Sequence, residues 1–378
     1  MLILLTSPSV VAPNGEPIGE LAKVLVAAGN AGNPVAIVSN SVAPPWFDRT
    51  FDGTPVQFFQ ARGRQNGRIV AENAERLKLS PHDVLVLAGG DADVRMGKNS
   101  GAVLMGAGWS GTDNVRSLGI EVESPAMLHE VIQLCAEWSV GWWFSGAAPS
   151  YEVRALADLS SRHNKPIDQQ IFGHMVTGTV KNGGSRLTAL LTVAGRSLLG
   201  EGLAAERKTA WGVYPSSRST NDDNEVLSDL THRLRTTISR DRFAEREHPL
   251  FVRHTISAKR STGGGGDRAD PSEQIETIHL NPHYRKRLQG RLVVIVDDCT
   301  TYGVSFGVAA AFLRKGGARK VLCVALGKFG NTARSYDIDI QTDPFRPVLA
   351  GAYRVTTSAE LRGQTSNTAQ DVLRELIQ

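Results

Sequence analysis

The most constraining part of this chain runs from residue 292 to residue 326. An apolar strand over 292–296 enters a polar turn, and a helix follows from about Ser305 to Lys315. Gly316 and Gly317 stop that helix, and a second apolar strand covers 320–326. Two buried strands joined by such a helix run parallel, because the crossover returns the chain to the edge it left. A parallel sheet needs helices on both faces, so its surroundings should alternate strand and helix. The first 145 residues do alternate: short aliphatic runs at 2–5, 35–38 and 84–87 are separated by helical periodicity over 18–28 and 68–79.

At 378 residues two domains are the natural expectation. The predicted class is α/β, with a mainly parallel sheet in each of two domains, 1–145 and 151–378, joined by a linker over 145–150. In the second domain the sequence predicts helices over 153–161, 185–199 and 225–236, and a strand over 209–214 that ends in Pro215, Ser216, Ser217 and Arg218. Residues 257–270, which include Gly263, Gly264, Gly265 and Gly266, read as the most flexible stretch.

Hydrophobic residues make up 41% of the chain and the formal net charge is only +4, so each half can bury a core. The basic clusters at 253–268 and 283–291 read as solvated faces, which leaves nucleic acid as a secondary alternative among partners. Cys135, Cys299 and Cys323 are too few and too scattered for a disulfide framework or a zinc site. No apolar run approaches the roughly 20 residues needed to cross a bilayer, so the expectation is a cytoplasmic protein without a membrane partner.

The polar turn carries the chemistry. Asp297 and Asp298 stand at the carboxyl end of the strand, and Thr300, Thr301, Tyr302, Gly303, Val304 and Ser305 lead into the helix. Unpaired backbone N–H groups and the helix dipole favour an anion at such a start. Gly303 permits close backbone approach to a phosphate, and the hydroxyls of Thr300, Thr301 and Ser305 can donate to its oxygens. Two carboxylates beside a phosphate repel it unless they face hydroxyls or a metal, and a ribose with Mg²⁺ supplies both.

Four apolar residues, two acids, then Thr-x-Gly-x-Ser resembles the signature of type I phosphoribosyltransferases, with Tyr302 where a second threonine is usual. The segment 176–190, the strand with its Pro215 to Arg218 turn, and the run-in from Pro271 to Arg291 resemble the ComF-like branch in their order. The resemblance implies that Asp297 and Asp298 hold the ribose hydroxyls, with Mg²⁺ nearby, and that residues 300–305 hold the 5′-phosphate. It implies that Ser216, Ser217 and Arg218 face pyrophosphate, with Lys181 a further cation and the glycine-rich segment a lid. The implied reaction uses 5-phosphoribosyl 1-pyrophosphate, transfers ribose 5-phosphate to an acceptor that the sequence does not identify, and releases pyrophosphate. The branch's Arg-Gly-Phe-Asn is absent, and Asn221, Asp222, Asp223 and Asn224 stand in that region. This departure keeps open a non-catalytic sensor of phosphoribosyl pyrophosphate or nucleotides, and a ComF-like accessory role in DNA handling.

The first 140 residues resemble the haloacid dehalogenase fold. Ser39 with Asn40 is similar to that family's second motif, and the stretch around Asp91 and Asp93 to its acidic motif. Thr6 and Ser7 stand where the family places its nucleophilic aspartate. A hydroxyl there cannot form an aspartyl phosphate, so this domain reads as catalytically silent: a scaffold, a dimerisation surface or a pocket for a phosphorylated ligand. A homodimer is the expected assembly.

Overall fold

The computed structural model describes residues 1–138, 141–160, 165–182, 185–206, 208–222, 225–238, 248–257, 267, 269–361 and 363–377. The chain divides into two compact units. The first comprises 1–140, 184–207 and 233–244, and the second 141–183, 208–232 and 245–378. Among the described residues no helix is long and apolar enough to cross a membrane.

The first unit is built on six parallel strands: β1 (Ile3–Thr6), β2 (Val35–Ser39), β3 (Val56–Gln60), β4 (Val84–Ala88), β5 (Val103–Ala107) and β6 (Ile120–Val122). Their order in the sheet is β3-β2-β1-β4-β5-β6. Successive crossovers lead away from β1 on one side and continue past β4 on the other. That reversal opens a crevice beyond the carboxyl ends of β1 and β4. Ile3, Leu5, Val84 and Val86 are buried, as strands covered on both faces require.

The second unit holds a six-stranded sheet of β7 (Phe144–Ala147), β8 (Glu152–Asp158), β9 (Thr209–Val213), β12 (Leu292–Thr300), β13 (Lys320–Lys328) and β16 (Gly363–Thr365). Two smaller ladders pair β10 (Phe251–Arg253) with β11 (Ile278–Leu280) and β14 (Arg334–Ile340) with β15 (Tyr353–Glu360). The sheet order is β16-β7-β8-β13-β12-β9, with β8, β13, β12 and β9 mutually parallel and β7 and β16 antiparallel at one edge. The α/β class with a mainly parallel sheet in each unit is therefore what this chain adopts.

Three local readings of the sequence are corrected by the fold. Of residues 153–161, expected as helix, 153–158 belong to the interior strand β8, whose Val153, Ala155, Leu156 and Ala157 are all buried, and residue 161 lies outside the described residues. Alanine and leucine favour helices in isolation, but burial between β7 and β13 outweighs that preference. Residues 145–150, expected as a linker, form most of β7 and the turn of a hairpin closed by Ala148 N–H donating to the Tyr151 carbonyl at 2.8 Å. Serine, glycine and proline mark a tight turn as readily as a linker. The helix Ser185–Gly200, expected in the second domain, belongs to the first unit. Its Arg196 is buried, forms an ion pair with Asp83 at 2.5 Å, and donates to the Trp138 carbonyl at 2.9 Å.

Candidate functional site

In the second unit β9 and β12 are adjacent and parallel, so the turns that follow them share one edge of the sheet. Tyr214 N–H donates to the Val296 carbonyl at 3.1 Å and fixes where the turn of Ser216, Ser217 and Arg218 departs. Thus the two segments singled out in the sequence, 215–218 and 297–305, are brought to one sheet edge by backbone pairing of adjacent strands.

The pairing of β12 with β13 continues past the apolar run, with Asp297 opposite Ala325 and Thr300 opposite Lys328. Asp297 and Asp298 therefore sit on a rigid strand end. Asp297 accepts from Asp298 N–H at 2.9 Å and from the Ser305 hydroxyl at 3.0 Å, while Asp298 accepts from Cys299 N–H at 2.6 Å. Burial, and then the neighbouring Asp298 carboxylate, push the Asp297 pKa well above the ordinary carboxylate range. A site that favours a protonated acid is one that gains when hydroxyl donors or a cation arrive.

At the end of the strand Thr300 is buried, and just beyond it Thr301 is exposed. Gly303, at φ 83°, caps the helix Val304–Lys315 in the left-handed conformation that residues with a side chain rarely adopt. Gly307, one turn on, lets Tyr336 pack directly on the helix: an added Cβ would lie 2.6 Å from the Tyr336 Cβ. Among the described residues no acceptor pairs with the Val304, Ser305 or Phe306 N–H at the start of this helix. Arg334 brings a further cation to the loop, its backbone N–H donating to the Tyr302 carbonyl at 2.9 Å and its guanidinium 5.6 Å from the Tyr302 ring centre.

The turn after β9 is less open. Ser216 and Arg218 are exposed, and the Ser216 hydroxyl donates to the Glu225 carboxylate at 3.0 Å. Arg253 is buried behind this turn and holds its carbonyls, donating to Ser216 at 2.5 Å and to Pro215 at 3.1 Å. It also donates to the Thr277 hydroxyl at 2.8 Å. Lys181 falls in the helix Ile167–Asn182, and its side chain lies outside the described residues, as do Gly263, Gly264, Gly265 and Gly266.

Three cations around this site were not singled out by the sequence reading. Arg253 lay within a basic run taken as solvated, and its sole distinction is that β10 is otherwise apolar. Arg334 follows an unremarkable turn. Lys328 ends a strand whose residues from Val321 to Leu326 are all apolar, a signal that could have marked it. Its ammonium is buried against the loop.

Among the described residues no group of three or more His, Cys, Asp or Glu side chains is gathered to enclose a metal. Two neighbouring carboxylates fit a Mg²⁺ that takes its remaining oxygens from ligand and water, as this ion commonly does.

In the first unit, Ser7 follows β1 and Asp93 lies in the helix Asp91–Ser100 that follows β4. Asp93 is buried and accepts from the Ser7 hydroxyl at 2.7 Å, from Gly89 and Gly90 N–H at 3.0 and 3.1 Å, and from the buried guanidinium of Arg64. The serine completes the hydrogen bonds of the Asp93 carboxylate and Arg64 neutralises its charge, so the carboxylate is satisfied internally, while the buried Arg64 Nε has no hydrogen-bond partner among the described residues. A separate cavity of about 310 Å³, lined by Leu5, Ala36, Phe59 and Leu77 with Arg76 among its polar groups, shares no residue with either cluster.

No protein-family model, curated protein or solved structure matches this chain.

Proposed function

We propose that the second unit binds 5-phosphoribosyl 1-pyrophosphate with Mg²⁺ and transfers ribose 5-phosphate to an acceptor, releasing pyrophosphate. The observation that carries this reading is the meeting of two turns at the ends of adjacent strands: Asp297 and Asp298 lead into an open helix start on β12, and Ser216, Ser217 and Arg218 follow β9. In this reading Asp297 and Asp298 accept from the ribose hydroxyls. The N–H groups around Gly303 and the hydroxyl of Thr301 hold the 5′-phosphate. Ser216, Ser217 and Arg218 meet the pyrophosphate end.

The reaction breaks the bond from the anomeric carbon to the pyrophosphate oxygen, which leaves with the electron pair, and forms a bond from that carbon to the acceptor. Positive charge develops on the ring, and the protein's contribution is fixed placement of ring and leaving group. Bound Mg²⁺ would supply neutralisation of the leaving charge. The proposed setting is the cytoplasm, where free thiols such as Cys299 and Cys323 persist. The first unit acts in this reading as a scaffold, since Ser7 replaces a nucleophilic carboxylate and Arg64 already neutralises Asp93.

A second reading, ligand sensing without turnover, is favoured by one contact. Glu225 engages Ser216 and brings a negative charge to the turn that would receive pyrophosphate. The two readings separate in an assay of pyrophosphate release from 5-phosphoribosyl 1-pyrophosphate with Mg²⁺ across nucleobases and amines. Release that depends on Asp297 and Asp298 supports transfer. Firm binding with no release across the panel supports the sensor.

A further inference from the structure

Lys328 is the last residue of β13 and has 0% of its surface exposed. It stands level with Thr300 on one neighbouring strand and with Asp158 on the other. Its ammonium lies within hydrogen-bond reach of four carbonyls: Thr301 at 3.0 Å, Phe329 at 3.3 Å, Gly330 at 2.6 Å and Thr332 at 2.5 Å. The Phe144 ring centre lies 5.2 Å away, and no carboxylate forms an ion pair with the ammonium among the described residues. Burying an ammonium whose hydrogen bonds all go to neutral carbonyls, with Asp158 acting on it only through space, is costly, whereas a methionine of similar length would fill the same space without a charge to desolvate. Stability does not account for a lysine here.

The orientation of the loop does. In a planar trans peptide the carbonyl of one residue and the N–H of the next point in opposite directions. Holding the Thr301 carbonyl inward on Lys328 therefore turns the Tyr302 N–H outward, and that N–H has no partner among the described residues. The same ammonium ties the turn after β13 to the turn after β12, since Gly330 and Thr332 belong to the former and Thr301 to the latter. Behind the loop it adds a positive charge, screened little by water, to the partial charges of the N–H groups in front. Full burial keeps Lys328 from touching a ligand.

We propose that Lys328 is a positioning residue that aims the backbone donors at 302–305 toward an anionic phosphate and holds them there by its buried charge. The inference rests on the phosphate-site reading and adds a residue and a pH dependence to it. Burial lowers the Lys328 pKa to about 8, against a smaller upward pull from Asp158. The brace is thus charged at pH 7 and discharged at pH 9.5.

The test is calorimetric titration of the full chain with ribose 5-phosphate between pH 7 and 9.5, a range in which the ligand phosphate, with a second pKa of about 6, keeps its charge. The wild type should bind about tenfold more weakly at the upper end than at the lower. Lys328→Met should lose about tenfold at pH 7 and show a flat profile, and Lys328→Arg should recover part of the affinity with no decline up to pH 9.5. A Lys328→Met variant that binds within twofold of wild type and keeps its pH profile overturns the brace while leaving the phosphate site standing. Should the methionine variant fail to fold, a flat wild-type profile overturns the proposal by itself. No wild-type binding at any pH overturns the site reading and this inference together.

Discussion

Asp297 is where sequence and environment meet most sharply. The strand delivers it to a half-buried position beside Asp298, and both desolvation and that second carboxylate oppose its ionisation. A group whose folded pKa lies above its unfolded value favours the native state at low pH, and this advantage fades as pH rises through the folded pKa. At pH 7 the Asp297 carboxylate therefore costs stability. Asp297→Asn should raise the thermal midpoint of the ligand-free protein at pH 7 and have little effect at pH 4, where the native carboxyl already holds its proton. Thermal unfolding at the two pH values checks this, and a lower midpoint at pH 7 would count against the placement of Asp297. The acid pair and its loop could be read in advance because their residues are consecutive. Arg253 could not, and of Lys328 only its place at the end of an apolar strand could, since each acquires its role from carbonyls brought close only by the folded sheet.

At the scale of elements, parallel strands decide what meets what. β9 and β12 place both turns at one edge, and short side-chain anchors then set the path of each turn. Arg253 is the anchor of the turn after β9. Removing its guanidinium leaves the Pro215 and Ser216 carbonyls and the Thr277 hydroxyl without their donor. Arg253→Met should cost on the order of 3 kcal/mol in urea unfolding, the usual scale for several lost buried hydrogen bonds. It should also weaken inorganic pyrophosphate binding more than ribose 5-phosphate binding, because the other turn keeps its own anchor. Equal losses for the two ligands would argue that the turns do not serve separate ends of one ligand. The strand–turn–helix of β12 was legible because period, acids and glycine agree. β8 was not, because Ala155, Leu156 and Ala157 carry no strand preference and are held extended by the neighbours they pair with.

For the whole molecule, α/β alternation and two units follow from the length and the spacing of aliphatic runs, but the assignment of each segment does not. The helix Ser185–Gly200 is separated in sequence from the strands of its unit, and what binds it there is specific: Arg196 with Asp83, and the Ser197 hydroxyl accepting from the Trp138 indole N–H at 3.0 Å. Burial presses the Asp83 pKa upward, but the Arg196 hydrogen bond, the Ser80 N–H and the Arg196 charge outweigh it and leave the pKa below the ordinary value. That sign means the pair stabilises the protein above the unfolded carboxyl pKa, and the contribution disappears as pH falls through the lowered native one. Arg196→Met should accordingly cost on the order of 3 kcal/mol at pH 7, and clearly less at pH 3. Denaturant unfolding at both pH values measures it, and an equal loss at the two would place the contribution in packing rather than charge.

The central claim is that Asp297, Asp298 and the turn into the helix Val304–Lys315 form a ribose phosphate site. Its most direct measurement is calorimetric binding of 5-phosphoribosyl 1-pyrophosphate with Mg²⁺ to the wild type and to the Asp297→Asn, Asp298→Asn double variant. The account predicts saturable binding to one site in the wild type, and at least a hundredfold loss in a double variant whose circular dichroism is unchanged. Equal affinity in the two proteins would contradict it.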